Sequence, residues 1–425
     1  MFARWYSHVL EQKLRRPYVH LVFGARQTGK STLLRSRLPA DALVVDLSDP
    51  EQRSRHLASP GDFVRVCRAL PRRRAPWYVF VDEVQAVPDV FDAVQHLYDS
   101  DKRRWRFVLC GSAARKLRSA GTNLLPGRSV LHRIVPLTLS EHPAPDELAQ
   151  PGPSPLPLPW PARRGRAASS IAPRAGLEPL FPPSDLATRL AYGELPGVVA
   201  APERDRPDLL KAYAVVHLEE EIRREALVRD WGAFVRFLSL AAAESGGVLN
   251  YAAISQESGI SQPTVKSYYQ LLEDMFVGFS VPAFSKSPRK NLLSTPKFLF
   301  FDLGVRHAAA GLRPSRNVVR ALQGPLLEQW VGIELWKRLT YLGEGSLHHF
   351  RTKDGVEIDY IVERRGQYTP VEVKHTERPD QRDARRLLAF LSEHPGRARH
   401  GFLICRVPRP MALDDRVTAL PWFAL

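Results

Sequence analysis

Two groups of residues in this chain carry reactive chemistry. The first is Gly24-Ala-Arg-Gln-Thr-Gly29-Lys30-Ser31, which satisfies G-x-x-x-x-G-K-[ST] at every fixed position. Glycines let backbone amides come close to phosphate oxygens, and a helix that opens at the lysine adds the favourable end of its dipole. Lys30 is placed to meet the β- and γ-phosphates of a nucleoside triphosphate and Ser31 to hold Mg²⁺, with Thr32 beside it in the same turn. Asp82, 52 residues after Lys30, and Glu83 close the apolar run YVFVDE. Asp82 supplies a second oxygen for Mg²⁺, and Glu83 a base for the attacking water. ATP and Mg²⁺ are therefore the expected cofactors. Ser112, at the end of FVLCGS, is a sensor of the γ-phosphate or simply a helix N-cap. Arg128, in LLPGRSVLHR, is a candidate for stabilising the transferred phosphoryl group or an ordinary surface arginine.

The second group lies near the other end of the chain. In EIDYIVERRGQYTPVEVKHT, Glu372 and Lys374 are two apart and so share one face of a strand. Asp359 sits on the preceding strand, with a turn near Arg365-Gly366 between them. A hairpin brings Asp359 alongside Glu372, and Glu328, from the helix opening GPLLEQW, completes a set of hard oxygen ligands for Mg²⁺. Lys374 then orients a water or neutralises charge, which is the chemistry of metal-dependent phosphodiester cleavage. Charges at alternate positions are also what any half-exposed strand shows.

Short apolar runs position the first group. YVHLVF, ALVVDL, WYVFVDE and RFVLCGS alternate with segments of helical spacing, which predicts a parallel sheet covered by helices on both faces. The pattern stops at residues 143–183, which hold 12 of the 36 prolines. Proline lacks an amide donor and disfavours helix before it, so this stretch reads as an exposed insertion. Helical text resumes at DLATRLAYGELPGVV. At 249–284 a short helix, a turn at Gly259, a helix from Gln262 to Asp274 capped by Ser261, and a strand pair describe a winged helix. Its second helix offers Gln262, Thr264, Lys266, Ser267 and Tyr268 to a nucleic acid, and Lys286, Arg289 and Lys290 follow in the wing. The last hundred residues read as helix, three or four strands, helix and strand.

The order GARQTGKSTLL, VFVDEVQ, LCGSAARKL, GRSVLHRIVPLTLSE and AYGELPGVV resembles a prokaryotic family of AAA-type P-loop ATPases with a C-terminal domain of unknown function. The resemblance continues through YAAISQESGISQPTVKSYYQLLED, TPKFLFFDLGVRH, GPLLEQWVGIEL and RTKDGVEIDYIVE, and so covers nearly the whole chain. The final segment is similar to the PD-(D/E)XK nuclease pattern, with Ile358 where that pattern has proline. The resemblance implies ATP binding, a winged helix and a nuclease-like end. The expected fold is α/β: a P-loop NTPase domain over 1–200 with the insertion, a helical winged-helix domain over 201–320, and a restriction-endonuclease-like domain over 321–425.

Net charge is +16, which suits nucleic acid, with DNA the expected partner. Only 12 of the 61 basic residues are lysine, and so strong an arginine bias also reflects base composition. A homo-oligomer or a protein partner is compatible with the same reading. No apolar run reaches the length of a membrane span, and Cys67, Cys110 and Cys405 fit neither a disulfide framework nor a metal spacing. A cytoplasmic location follows as the expectation. Two functions result: a nucleotide-gated enzyme acting on nucleic acid, or an ATP-driven switch whose inactive nuclease-like fold serves as a binding module.

Overall fold

The computed structural model describes residues 2–59, 61–112, 126–139, 141, 183–218, 222, 228, 230–285, 295–352 and 355–425. The proline-rich stretch up to residue 182 and the wing residues Lys286, Arg289 and Lys290 lie outside the described residues. The chain divides into two compact units. One comprises Ala3–Pro136 with Gln270–Val277, the other Leu137–Tyr269 with Gly278–Leu425.

The first unit carries helices α1 (Tyr6–Leu14), α2 (Lys30–Arg35), α3 (Pro50–Ala58), α4 (Gly61–Ala69) and α5 (Val90–Ser100). Between them run strands β1 (Val19–Phe23), β2 (Leu43–Asp46), β3 (Trp77–Asp82), β4 (Trp105–Gly111) and β5 (Ser129–Arg133). The strands form one parallel sheet in the order β2-β3-β4-β1-β5, as the alternating pattern implied. Every residue of β1 is buried, because parallel strands are covered on both faces. Val19, Leu21, Phe23, Val79, Val81, Phe107 and Leu109 pack there against Phe63, Phe91 and Leu97. β5 has no apolar run to announce it: Ser129, Val130 and Arg133 are half-buried and Leu131 is exposed.

The second unit begins with helices α6 (Pro183–Tyr192), α7 (Pro196–Ala200) and α8 (Arg206–Ala212). Residues 183–200, ahead of the boundary expected at residue 200, fall within this unit. The reason lies in a buried polar network. The Asp302 carboxylate accepts hydrogen bonds from the amides of Glu194 (2.6 Å) and Val305 (3.1 Å), and Arg189 donates to Glu194 at 3.0 Å. Gly193 sits at φ +70° with a Cβ position only 2.1 Å from Asp302 Oδ1, so a side chain there collides with that carboxylate. Burial pushes the Asp302 carboxyl up to about 6. GELPG and FFDLG thus meet in space as two halves of one buried network.

Helices α9 (Trp231–Ala243), α10 (Tyr251–Ser258) and α11 (Gln262–Asp274, whose residues from Gln270 on belong to the first unit) follow, then the antiparallel pair β6 (Gly278–Val281) and β7 (Lys297–Phe300). Asp230 and Asn250 cap the first two helices through the amides of Ala233 and Ala253, and Gly259 at φ +72° ends α10. Helices α12 (Leu303–Ala309) and α13 (Arg316–Ala321) lead to the long α14 (Gln323–Leu342). Three strands come next, β8 (Ser346–Arg351), β9 (Glu357–Arg364) and β10 (Gln367–Val373), then α15 (Arg385–Glu393) and β11 (Gly401–Cys405). A further pair, β12 (Met411–Asp414) and β13 (Val417–Pro421), completes a six-stranded sheet ordered β12-β13-β11-β10-β9-β8. Ile358, Ile361, Leu387, Phe390, Leu403 and Val417 form its core. All three cysteines are buried free thiols: Cys67 and Cys110 in the first unit, Cys405 in the second. Among the described residues no helix is long and apolar enough to cross a membrane.

Candidate nucleotide site and a buried carboxylate cluster

Residues Gly24–Gly29 connect the C-terminal end of β1 to α2. Gly24 lies so close to the neighbouring chain that a Cβ there would stand 2.1 Å from the Ile134 carbonyl, and Gly29 opens α2 at φ +85°. Lys30 is buried, its Nζ donating to the Gly24 and Ala25 carbonyls at 2.9 Å each, so its charge is held within the curve of the loop. Arg4 braces the loop from outside, donating to the Thr28 carbonyl (2.7 Å) and to that of Val135 (2.6 Å). Sequence reasoning gave Arg4 no role, because nothing local ties residue 4 to residue 28. Thr32 is exposed on the first turn of α2.

The two halves of the nucleotide motif meet directly: Ser31 Oγ donates to Asp82 Oδ1 at 3.0 Å. Register explains this, since β3 and β1 both pair with β4 and so end at the same edge of the sheet. Glu83 follows Asp82 with φ +52°, a left-handed conformation that non-glycine residues adopt at a cost of about 1–3 kcal/mol and that gathers at functional sites. Its Oε2 accepts a hydrogen bond from Gln85 Nε2, which also donates to Ser112 Oγ at 3.1 Å. Gln85 therefore ties the candidate base to the buried Ser112. The amide fits because Gly111 has no side chain, and a Cβ there would lie 2.4 Å from Gln85 Oε1. Gln85 was visible in the sequence only as the last letter of VDEVQ.

Arg128 is placed elsewhere, which corrects the expectation for it. Its guanidinium pairs with Asp99 at 2.7 Å on the surface, and its carbonyl accepts from the amide of Val19. Val19 opens β1, whereas the phosphate loop leaves from Phe23, so Arg128 sits at the opposite end of the sheet from Lys30. Tyr268 is corrected too. It is buried against Phe234 and Phe237, with ring centroids at 5.0 and 5.3 Å, and is core of the helical group.

In the second unit, β9 and β10 pair antiparallel through Tyr360 and Val371, which sets Asp359 across from Glu372. The Val373 amide donates to Asp359 Oδ2 at 2.8 Å. Glu372 Oε1 accepts from Arg386 at 3.3 Å, and its Oε2 is buried without a hydrogen-bond partner. Burial, then the charges of Glu328 and Glu372, lift the Asp359 carboxyl well above the usual carboxylate range. Burial pushes Glu372 up to about 7, although Arg386 and Lys374 pull the other way.

The metal-ligand expectation for Glu328, Asp359 and Glu372 meets a correction. Among the described residues no three carboxylate, imidazole or thiolate side chains are grouped to hold one metal ion. Lys297, the first residue of β7, reaches in instead, pairing with Glu328 at 3.0 Å and Glu357 at 3.2 Å. Lys374, expected beside the carboxylates as a catalytic lysine, forms its ion pair with Asp383.

Residues 16–142 match the family described as an AAA domain. This part of the chain is similar to AAA-type P-loop domains. Beyond it, residues 183–316 and 323–425 match two families, each described as a domain of unknown function (DUF8612 and DUF4143). An uncharacterized protein of Mycobacterium tuberculosis is 24% identical over 373 residues, covering 87% of this chain and 73% of that protein. Another from Haemophilus influenzae is 23% identical, covering 84% and 82%. Among solved structures, the Aeropyrum pernix ORC1 protein in complex with DNA aligns with a TM-score of 0.31 at 15% identity, covering 75% of this chain and 93% of that one. A DNA polymerase III gamma-subunit-related protein from Thermotoga maritima gives 0.25 at 11%, covering 64% and 97%. Neither score is high enough to add to the reading of the AAA-type domain.

Proposed function

We propose that the chain is an ATP-driven switch that hydrolyses ATP in its AAA-type domain and uses the rest of the chain to hold a nucleic-acid partner. The observation that carries the hydrolytic part is the 3.0 Å hydrogen bond from Ser31 to Asp82, which joins the two residues a magnesium nucleotide needs. The donor set fits that group: two hard oxygens, a buried ammonium, and a loop whose Gly24 leaves no space for a side chain. Bound Mg²⁺·ATP supplies the phosphoanhydride bond that is cleaved. Lys30 neutralises phosphate charge, and Ser31 with Asp82 would hold the ion. Glu83 takes the proton from the attacking water, and Gln85 keeps its carboxylate aimed from the Ser112 side.

For the remainder, three helices and the β6–β7 pair, with Val248 bridged to Lys297 as a third strand position, support the winged-helix reading. The order α14, β8–β10, α15, β11 supports the nuclease-like reading of 323–425. Lys297 among the carboxylates and Lys374 turned to Asp383 favour the binding-module form over a cleaving one.

The deciding experiment measures phosphate release from ATP for wild type, Lys30→Ala and Glu83→Gln, alongside DNA binding across a salt series. Lys30→Ala abolishes ATP binding, whereas Glu83→Gln retains binding and loses about 10²–10⁴-fold in rate. DNA affinity falls steeply with salt. A wild type that binds ATP but releases no phosphate, with or without DNA, sinks the hydrolytic reading. Metal-dependent cleavage of DNA or RNA that is lost in Asp359→Ala replaces the binding module with a nuclease.

A further inference from the structure

The carboxylate cluster of the second unit already holds a cation. Glu328, Glu357, Asp359 and Glu372 come from α14, β9 and β10, and the charges of Glu328 and Glu372 bear on the desolvated Asp359 carboxyl, a setting that demands positive charge. Lys297 meets that demand. It is 3% exposed, and its ammonium stands 3.0 Å from Glu328 Oε1 and 3.2 Å from Glu357 Oε1. An isolated buried ammonium loses its proton readily, yet here the carboxylates hold it charged: burial opposes the charge, and Glu328, Asp359 and Glu357 outweigh burial. By contrast Arg386, on Glu372, and Lys374, on Asp383, are each more than a third exposed and reach the cluster only from its rim.

The backbone around Lys297 is fixed. Lys297 pairs with Val281 across the β6–β7 ladder and bridges to Val248 on its other side. The chain leaving β6 docks on the β8 edge of the six-stranded sheet, with the His349 amide donating to Pro282 O at 3.0 Å and the Phe284 amide to His349 O at 2.6 Å. The lysine is thus delivered by a paired strand, not by a free loop.

We propose that Lys297 is the resident cation of this cluster, an ammonium built into the position a hard divalent ion would otherwise take. Divalent cations then compete with the side chain for the same oxygens, and the charge of Lys297 seats the β6–β7 hairpin against the sheet.

The test is Mn²⁺ binding to nucleotide-free full-length protein, by calorimetry and by the loss of the free Mn²⁺ resonance signal. Wild type is expected to show no Asp359-dependent binding below millimolar Mn²⁺. Lys297→Met exposes the carboxylates and gains at least tenfold in Mn²⁺ affinity, and Lys297→Met/Asp359→Asn loses that gain. Glu357→Gln serves if Lys297→Met fails to fold: it removes one arm of the ammonium's cage, leaves three carboxylates, and is expected to show a smaller gain of the same kind. Equal Asp359-dependent affinity in wild type and the folded variant overturns the proposal, as does a folded variant with no gain.

Discussion

Replacing Gly111 by alanine tests the link between Gln85 and Glu83 without touching either residue. The added methyl carbon would stand 2.4 Å from Gln85 Oε1 and 3.3 Å from Phe23 Cε1. Ordinary contact begins near 3.4 Å, so the Gln85 amide must withdraw by about 1 Å while the backbone stays in place. That withdrawal stretches the 3.1 Å bond to Ser112 beyond hydrogen-bond range and breaks the bond to Glu83 with it. A hydrogen bond to a charged group is worth about 1.5–3 kcal/mol, or roughly ten- to a hundredfold in the population of correctly held Glu83. Gly111→Ala should therefore lower kcat for ATP by about ten- to a hundredfold while ATP affinity changes by less than about threefold. Gln85→Ala should do the same, and the double variant should be no worse than the more severe single one, because both break one link. Steady-state phosphate release and equilibrium binding of a fluorescent ATP analogue read these quantities. Additive losses in the double variant, or an unchanged kcat in either single one, refute the link.

Other expectations follow from the same contacts. Arg128→Ala should leave ATP turnover within about twofold of wild type, since Arg128 pairs with Asp99 away from the loop; a hundredfold loss in phosphate release contradicts that placement. Gly193→Ala forces a left-handed residue against the Asp302 carboxylate and should cost about 3 kcal/mol or more in urea unfolding, and a loss under about 1 kcal/mol shows that the network yields. Acid should weaken the first unit. Tyr6, His132 and His20 form a buried hydrogen-bonded chain (2.9 and 3.0 Å), and burial lowers His20 to about 4 and His132 to about 3. The unfolded chain takes up these protons near pH 6.5 and the folded one does not, so stability is full above that pH and falls as pH drops towards 4. His132→Gln should flatten the pH dependence of urea midpoints between pH 7 and 5, and an unflattened curve removes the histidines as its cause.

What was legible in the sequence was what is contiguous. The phosphate loop, the strand before it and the helix after it form one stretch, so composition and order sufficed. Asp82 was also within reach, because an acidic pair ending an apolar run marks the same sheet edge. Arg128 failed on a point the sequence does not encode, namely which end of β5 it opens. Arg4, Gln85 and Lys297 act on residues far along the chain or through a glycine's missing side chain, and leave no local pattern. Tyr268 follows the polar Lys266 and Ser267, yet helical rotation turns it inward onto Phe234. β12 escaped because it is short and Met411, Ala412 and Asp414 are exposed.

The buried thiols give the molecule an internal record of its own opening. Burial raises Cys67 to about 12 and Cys405 to about 11, and lifts Cys110 well beyond its ordinary range, so none is a thiolate at neutral pH. An alkylating reagent therefore modifies each one only while its surroundings are open. Cys67 and Cys110 lie in the unit that carries the phosphate loop and Cys405 in the other. Peptide-resolved rates of alkylation then separate the opening of one unit from that of the other in the unmodified protein. Nucleotide that slows Cys67 and Cys110 while leaving Cys405 at its own pace would show that the two units breathe independently.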